Sequence, residues 1–346
     1  MNKNVYNLKL ELSWSLLKII SQIDRFDASW SSVEKTEGQS LKQLKSIATI
    51  QSIGASTRIE GSKMTDKEVE ILLNNIDISK IENRDAQEVM GYSNVHDLIT
   101  HSYNEIEISK NDIQNLHNQL LKFSEKDQWH RGKYKQLENA VEANFPDGTR
   151  QIIFKTTPPG LQTQQAMEQL INWYHNEKEV HPLIITAAFV YEFLSIHPFQ
   201  DGNGRLSRLL TTLLLMKNGY LWIQYISFEH EIENNKKNYY RNLRNCQAQR
   251  PNENISDWIE FFFQALINVQ IKLQRKLDKT GVVTTLTPKE KQVYSFIKIH
   301  YGTKSGEISK KNGIPISTIK RILKTLTEKE LIQKFGKGAG TSYGIK

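Results

Sequence analysis

His197-Pro198-Phe199-Gln200-Asp201-Gly202-Asn203-Gly204-Arg205-Leu206-Ser207-Arg208 separates two apolar helical stretches in a chain of 346 residues. Before it, Ile184 to Ile196 is apolar and helical in pattern. Pro198 disfavours helical geometry in the residue that precedes it, so the first helix ends at His197. Gly202 and Gly204 permit a tight turn in which backbone N–H groups converge. A second helix then begins, because Leu206, Leu209, Leu210, Leu213 and Leu214 recur at the spacing of a core-facing stripe. Arg205 and Arg208 are three apart and share another face. Free N–H groups at a helix N-terminus suit an anion, and two arginines there point to a polyphosphate. Arginines in a first turn oppose the helix dipole, so stability alone does not select them. Asp201 is a hard oxygen ligand suited to Mg²⁺, which binds through one or two carboxylates plus substrate phosphates. A histidine such as His197 has a reference pKa near neutrality and can take a proton from an attacking hydroxyl.

Around this loop, helical periodicity dominates and no internal repeat appears. Helices are expected over residues 5–24, 41–56, 84–104, 109–123, 163–177, 183–196, 204–218, 235–248 and 255–278. Thr65 and Glu68 form a capping box that opens another. Residues 133–143 and 151–157 flank Asn144-Phe145-Pro146-Asp147-Gly148, and Asp-Gly is a hairpin turn signal. Residues 279–287, ahead of Pro288, read as a linker. Hydrophobic residues at 38% and charged residues at 24% place the chain among soluble globular proteins. Cys246 is the only cysteine, which excludes an intrachain disulfide and a cysteine-rich zinc site. No apolar run is long enough to span a bilayer, and the first twenty residues lack the pattern of a signal peptide. These features point to a cytoplasmic protein with no membrane partner.

The net charge of +8 is uneven. From Thr284 onward there are 13 Lys and Arg against 4 Asp and Glu, so the rest of the chain is close to neutral. An anionic partner, first of all nucleic acid, is expected for that segment. Its pattern is three helices, the third opened by Ser317, then a strand, a glycine-rich tip and a strand. That order resembles a winged helix–turn–helix with the third helix in a DNA major groove. Ser317, Thr318, Lys320, Arg321 and Lys324 are candidate contacts, and Lys337 on the wing is a candidate phosphate contact.

His197-Pro198-Phe199-x-Asp201-Gly202-Asn203-Gly204-Arg205-x-x-Arg208 resembles the full signature of the Fic family, with no signature position missing. The resemblance, over roughly residues 40–250, implies a mainly α fold: a helical core with a β-hairpin flap, here joined to a small α+β winged-helix domain. The expected division is an N-terminal helical region 1–105, a Fic core 106–278 and a winged helix 284–346. The implied chemistry is transfer of AMP from Mg²⁺-ATP to a Ser, Thr or Tyr hydroxyl of a target protein or of the enzyme itself. His197 would be the base and Asp201 the Mg²⁺ ligand. Gly202, Asn203 and Gly204 would cradle phosphates, with Asn203 near the α-phosphate, and Arg205 and Arg208 would hold the β- and γ-phosphates. Phe199 would anchor the loop. Tyr239 and Tyr240 resemble the family's aromatic pair near adenine, though adjacent helical residues diverge by about 100°, so one of them is expected to reach the base. The flap strand Gln151-Ile152-Ile153-Phe154 could pair with a target segment, or simply cover core.

Ser56-Thr57-Arg58-Ile59-Glu60-Gly61 matches the family's inhibitory pattern, Ser/Thr-x-x-x-Glu-Gly/Asn. It implies that the helix near 41–61 blocks the site, with Glu60 pairing to Arg208 where the γ-phosphate should bind, and Gly61 ending the helix. Two alternatives stay open: a DNA-binding regulator whose core senses nucleotide, and the same site removing AMP or using another donor. A homodimer is compatible with all of these.

Overall fold

The computed structural model describes residues 2–36, 38–75, 83–144, 150–284 and 286–345. The chain forms two units, Met1–Ile271 and Lys272–Lys346. The fold is mainly helical.

The first unit opens on a hairpin of β1 (Asn2–Val5) and β2 (Leu8–Glu11), paired antiparallel. This corrects the helix expected from residue 5. Leu8 and Leu10 are buried while Lys9 and Glu11 are exposed, which is a period of two. Tyr6 turns the chain at φ +58°. Lys9 also exchanges backbone hydrogen bonds of 2.9 Å with Glu253 and Ile255, so distant residues select the strand. Helices α1 (Trp14–Thr36), α2 (Gly38–Ile59) and α3 (Asp66–Asn74) follow. Thr65 and Glu68 make the expected capping box at the start of α3. Gly61, at φ +110°, ends α2: its N–H reaches the Arg58 carbonyl and that of Ser62 reaches Thr57, the paired bonds of a Schellman motif.

Next come α4 (Arg84–Ser102) and α5 (Lys110–Leu120), then the hairpin β3 (Ala140–Asn144) and β4 (Arg150–Lys155), with a register shift between Val141 and Glu142. The Asp147-Gly148 turn lies outside the described residues. The first strand begins at Ala140 rather than at 133, because residues 133–139 spend their polar groups on the loop after His197. The remaining helices are α6 (Leu161–Asn176), α7 (Pro182–Ile196), α8 (Asn203–Lys217), α9 (Phe228–Asn234), α10 (Lys236–Gln247) and α11 (Ser256–Thr284). Residues 279–284, read as linker, continue α11, since lengthening an existing helix costs far less than nucleating one.

The site sits between α7 and α8. All of α7 from Leu183 to Ile196 is buried. The leucine stripe of α8 is fully enclosed, each of its five leucines at 0% exposure. Each such burial contributes roughly 1.5–3 kcal/mol. The turn between these helices is therefore mounted on two buried helices.

The second unit holds α12 (Pro288–Ile299), α13 (Ser305–Asn312), α14 (Ile316–Glu328) and an antiparallel pair, β5 (Ile332–Phe335) with β6 (Ser342–Ile345). Val293, Ile297, Ile308, Ile319 and Leu326 are the centre of its core. Ser317 is not the cap of α14. The helix starts two residues earlier than that cap implies, at Ile316 behind Pro315, whose ring already fixes φ near the helical value. Ser317, Lys320, Arg321 and Lys324 are exposed on α14.

Candidate active site

His197 ends α7 in the left-handed conformation, φ +53° and ψ +60°, its N–H donating to the Phe193 carbonyl at 2.9 Å. A residue with a Cβ pays on the order of 1 kcal/mol for that geometry, which the helix core behind it imposes. Nδ1 lies 3.3 Å from the Leu194 carbonyl, which can only accept. Nδ1 therefore carries the proton in the neutral ring, and Nε2 keeps its lone pair. Burial, then the nearby Lys135 ammonium, pushes the imidazole down to about 4, so it is neutral at physiological pH.

Phe199 points inward with no exposed surface. Its ring stacks on His117 with centroids 3.8 Å apart and planes within 10°. Its backbone is clamped by Asn203. The Phe199 N–H donates to Asn203 Oδ1 at 2.9 Å, and Asn203 Nδ2 donates to the Phe199 carbonyl at 2.7 Å. The Asn203 side chain thus closes the turn. His117 Nε2 donates to the Asp201 carbonyl at 2.9 Å, and Nδ1 accepts from the Gly132 N–H at 2.9 Å. Burial holds this ring down to about 4 as well. His117 and Lys135 were not singled out by motif. Nothing local distinguishes them, and only the fold brings them to residues 80 or 60 positions away.

The front of the turn lines a cavity of about 530 Å³, within the range of small-molecule sites. His197, Asp201, Gly202, Asn203, Gly204, Arg205, Arg208, Tyr239, Tyr240 and Glu60 all border it. Arg205 is 2% exposed; its Nη2 meets Asp201 Oδ1 at 3.2 Å and its Nη1 stands 3.6 Å from Glu88. Its Nε and Nη1 have no hydrogen-bond partner. Asp201 keeps Oδ2 3.7 Å from Lys126. Burial opposes its charge, but Arg205 foremost outweighs that and holds the carboxyl below its ordinary value.

Arg208, also 2% exposed, is fully engaged by the end of α2. Nη2 donates to Glu60 Oε1 at 2.7 Å and to the Ser56 carbonyl at 3.0 Å, and Nε donates to Ser56 Oγ at 2.8 Å. Burial raises the Glu60 carboxyl, but Arg208 overcomes it and the carboxyl stays lowered and ionised. A Cβ on Gly204 would collide with Glu60 Oε1, so this glycine makes room for the carboxylate. Both tyrosines border the cavity. Tyr239 is 3% exposed and packs edge-on against Trp258, whereas Tyr240 is more open, with the Arg244 guanidinium 5.4 Å from its ring centre.

Residues 107–215, which contain the whole loop, match the model of the Fic/DOC family. Protein adenylyltransferase Fic of Drosophila melanogaster is 29% identical over 205 residues, 58% of this chain and 39% of that protein. The Drosophila grimshawi protein of the same name is 30% identical over 186 residues, covering 52% and 35%. The chain thus spans about two fifths or less of the length of these curated relatives. Among solved structures, a Fic family protein from Desulfovibrio desulfuricans G20 superposes with a TM-score of 0.62 at 21% identity, over 97% of both chains. Fic-1 from C. elegans (residues 134–508) gives 0.60 at 18% identity, over 77% of this chain and 73% of that one. The complete signature, the matched segment and the shared helical fold agree that residues 107–215 carry a Fic/DOC family domain.

Proposed function

We propose that this chain is a protein adenylyltransferase that moves AMP from ATP to a Ser, Thr or Tyr hydroxyl, and that Glu60 restrains it. The observation that carries the reading is a pair of buried arginines one turn apart beside a neutral histidine. Arg205 has unpartnered donors, and Arg208 already holds a carboxylate. The names of the curated relatives support the same chemistry.

His197 Nε2 accepts the proton of the target hydroxyl. The oxygen then attacks the α-phosphorus, the bond to the bridging oxygen of the β-phosphate breaks, and pyrophosphate leaves. Arg205 and Arg208 bind the outer phosphates, and the N–H groups at the start of α8 face the remaining charge. Asp201 fits a Mg²⁺ ligand: one part-exposed carboxylate beside a phosphate cradle, with no cluster of three or more His, Cys, Asp or Glu among the described residues. That is the donor set of an ion that takes its other ligands from phosphates and water, and bound there it would neutralise phosphate charge. Tyr240 and Tyr239 border the adenine end. β4 offers the flap edge to which a target segment would pair. Glu60 sits on Arg208 and so displaces the terminal phosphate, which leaves the α-phosphate out of line for attack.

The test is labelled ATP incubated with lysate and wild type, Glu60→Gly, or Glu60→Gly/His197→Ala. Label on protein should rise by at least about tenfold in the first variant, equivalent to roughly 1.4 kcal/mol, and vanish in the second. Equal labelling by all three would exclude the reading.

For residues 284–346 we propose a winged-helix domain that binds DNA. The exposed Lys320, Arg321 and Lys324 on α14 favour this over a purely structural role. Binding should weaken steeply from 50 to 200 mM salt, on the order of tenfold per few phosphate contacts. A flat salt response, or no binding at low salt, excludes it.

A further inference from the structure

Lys135 is the most buried lysine near the site, at 1% exposure. Its ammonium donates to three oxygens: Thr156 Oγ1 at 2.7 Å, Asn139 Oδ1 at 2.8 Å and the Ile196 carbonyl at 3.1 Å. Three donors and three acceptors satisfy the group. Asn139 immediately precedes β3, and Thr156 immediately follows β4. They are the two feet of the flap, and Thr156 Oγ1 also reaches the Asn139 carbonyl at 2.8 Å. Ile196 is the residue before His197.

The same short segment grips the loop further along. The Lys135 N–H donates to the Pro198 carbonyl at 2.8 Å. Asn139 Nδ2 donates to the Phe199 carbonyl at 2.8 Å and stands 3.5 Å from that of His197. Carbonyls of four consecutive residues, 196 to 199, are therefore held by two side chains and one amide of the segment 135–139.

Stability alone is a poor reason for a lysine here. All three ammonium partners are neutral oxygens, and a buried charge without a carboxylate is costly. Burial accordingly pushes the Lys135 amine down to about 8. An apolar side chain of similar length would fill the space at lower cost, but it could not tie three separate strands of chain to one point.

We infer that Lys135 is a positioning residue of the active site, whose ammonium fastens both feet of the β3–β4 flap to the carbonyl preceding His197 and so keeps base and flap in one register. The inference rests on the proposed reaction for its catalytic consequence, because a target strand paired to the flap must present its hydroxyl where His197 stands. Its structural part does not depend on that reaction. A displacement of the base by about 1 Å can cost on the order of 100-fold in rate.

The experiment uses the full chain and the variants Lys135→Met, Lys135→Arg and Thr156→Val. Ring resonances of His197, assigned by comparison with His197→Ala, are titrated by NMR, and amide exchange is followed at Phe199 to Asp201. The charged groups acting on His197 are Lys135 from the flap base, Glu60 from the end of α2 and Asp201 from the loop itself. Lys135→Met should raise the His197 midpoint by about one pH unit and speed amide exchange by about tenfold. Lys135→Arg should restore the midpoint. Thr156→Val keeps the charge and unties one foot, so it should speed exchange with the midpoint unchanged, which still tests the link if Lys135→Met does not fold. In the Glu60→Gly background, Lys135→Met and Thr156→Val should lower the rate of label transfer by about tenfold or more, while ATP affinity by calorimetry stays put.

If Glu60→Gly alone gives no label, the proposed reaction fails, and the titration and exchange still decide the role of Lys135. Unchanged titration and exchange in Lys135→Met overturn the inference. A fall in ATP affinity that matches the fall in rate overturns it too, since that marks a general collapse of the site.

Discussion

The loop from His197 to Arg208 has two sides that are treated differently. On the inner side, the carbonyls of Ile196, Pro198, Phe199 and Asp201 each accept from a protein donor, and Asn203 clamps Phe199 in both directions. On the cavity side, Arg205 has two buried nitrogens without a hydrogen-bond partner, and Arg208 takes its partners from Ser56 and Glu60. Buried polar groups are normally satisfied, so the unsatisfied ones mark where something else binds. The inner side fixes geometry, and on the cavity side, in the proposed reading, Arg205 and Arg208 bind phosphate once Glu60 leaves Arg208. Substitutions on the two sides should therefore fail in different ways.

The largest separation is expected at Arg205. Arg205→Met, in the Glu60→Gly background, removes charge-assisted hydrogen bonds worth roughly 1.5–3 kcal/mol each in the bound state. ATP affinity should fall by about 100-fold by calorimetry, with a small change in melting temperature. An affinity within about threefold of the parent, close to 0.6 kcal/mol, would mean that Arg205 binds no phosphate.

An inner-side residue should instead register in stability, and through pH. The His117 ring is held near 4, against an ordinary value near 6.5. Because the folded value is the lower one, the unfolded chain binds more protons between pH 4 and 6.5. The stabilisation is complete above pH 6.5 and is lost as pH falls toward 4, about 3 kcal/mol for a ring this buried. Urea midpoints taken from pH 7 to 4.5 should fall steeply in the wild type. His117→Gln starts lower but should lose less over the same interval. Identical slopes in the two proteins would show that His117 is not the group responsible. His197 is displaced in the same direction, so the proposed base should already be neutral from pH 6 to 8.

How far the sequence revealed these two sides follows from the range of their interactions. The cavity side was legible: His197, Asp201, Gly202, Gly204, Arg205 and Arg208 lie within twelve residues, and proline and glycine dictate the turn locally. Glu60 was legible as a motif, and its 2.7 Å contact with Arg208 spans 148 positions that only the fold closes. The inner side was largely hidden. His117 and Lys135 carry no local signature, and the clamp of Asn203 on Phe199 depends on which way one amide points. At the N-terminus, residues 5–24 read as a helix. Backbone pairing of Lys9 with residues 253 and 255 selects a strand, which no short window of sequence contains.

The smallest effect concerns how Glu60 is aimed. The carboxylate leaves a turn just beyond α2, and that turn is held from outside the cavity. Arg58 forms a two-pronged pair with Glu233, at 2.7 and 3.0 Å, and adds Asp66 at 2.9 Å and the Met64 carbonyl at 3.0 Å. Lys236 Nζ binds the Ile59 carbonyl at 2.6 Å. Arg58 and Glu233 are each about one fifth exposed, so solvent screens the pair and its net worth is about 1 kcal/mol. Arg58→Gln should therefore release Glu60 only part of the time. Label transfer should rise by about fivefold, the factor that 1 kcal/mol sets on a two-state equilibrium, and stay well below that of Glu60→Gly. If Arg58→Gln matched Glu60→Gly, the restraint would reside in the fastening of α2 rather than in the carboxylate on Arg208. If it changed nothing, the ion pair alone would hold the segment shut, and the division between a fixed inner side and a releasable cavity side would end at Glu60 itself.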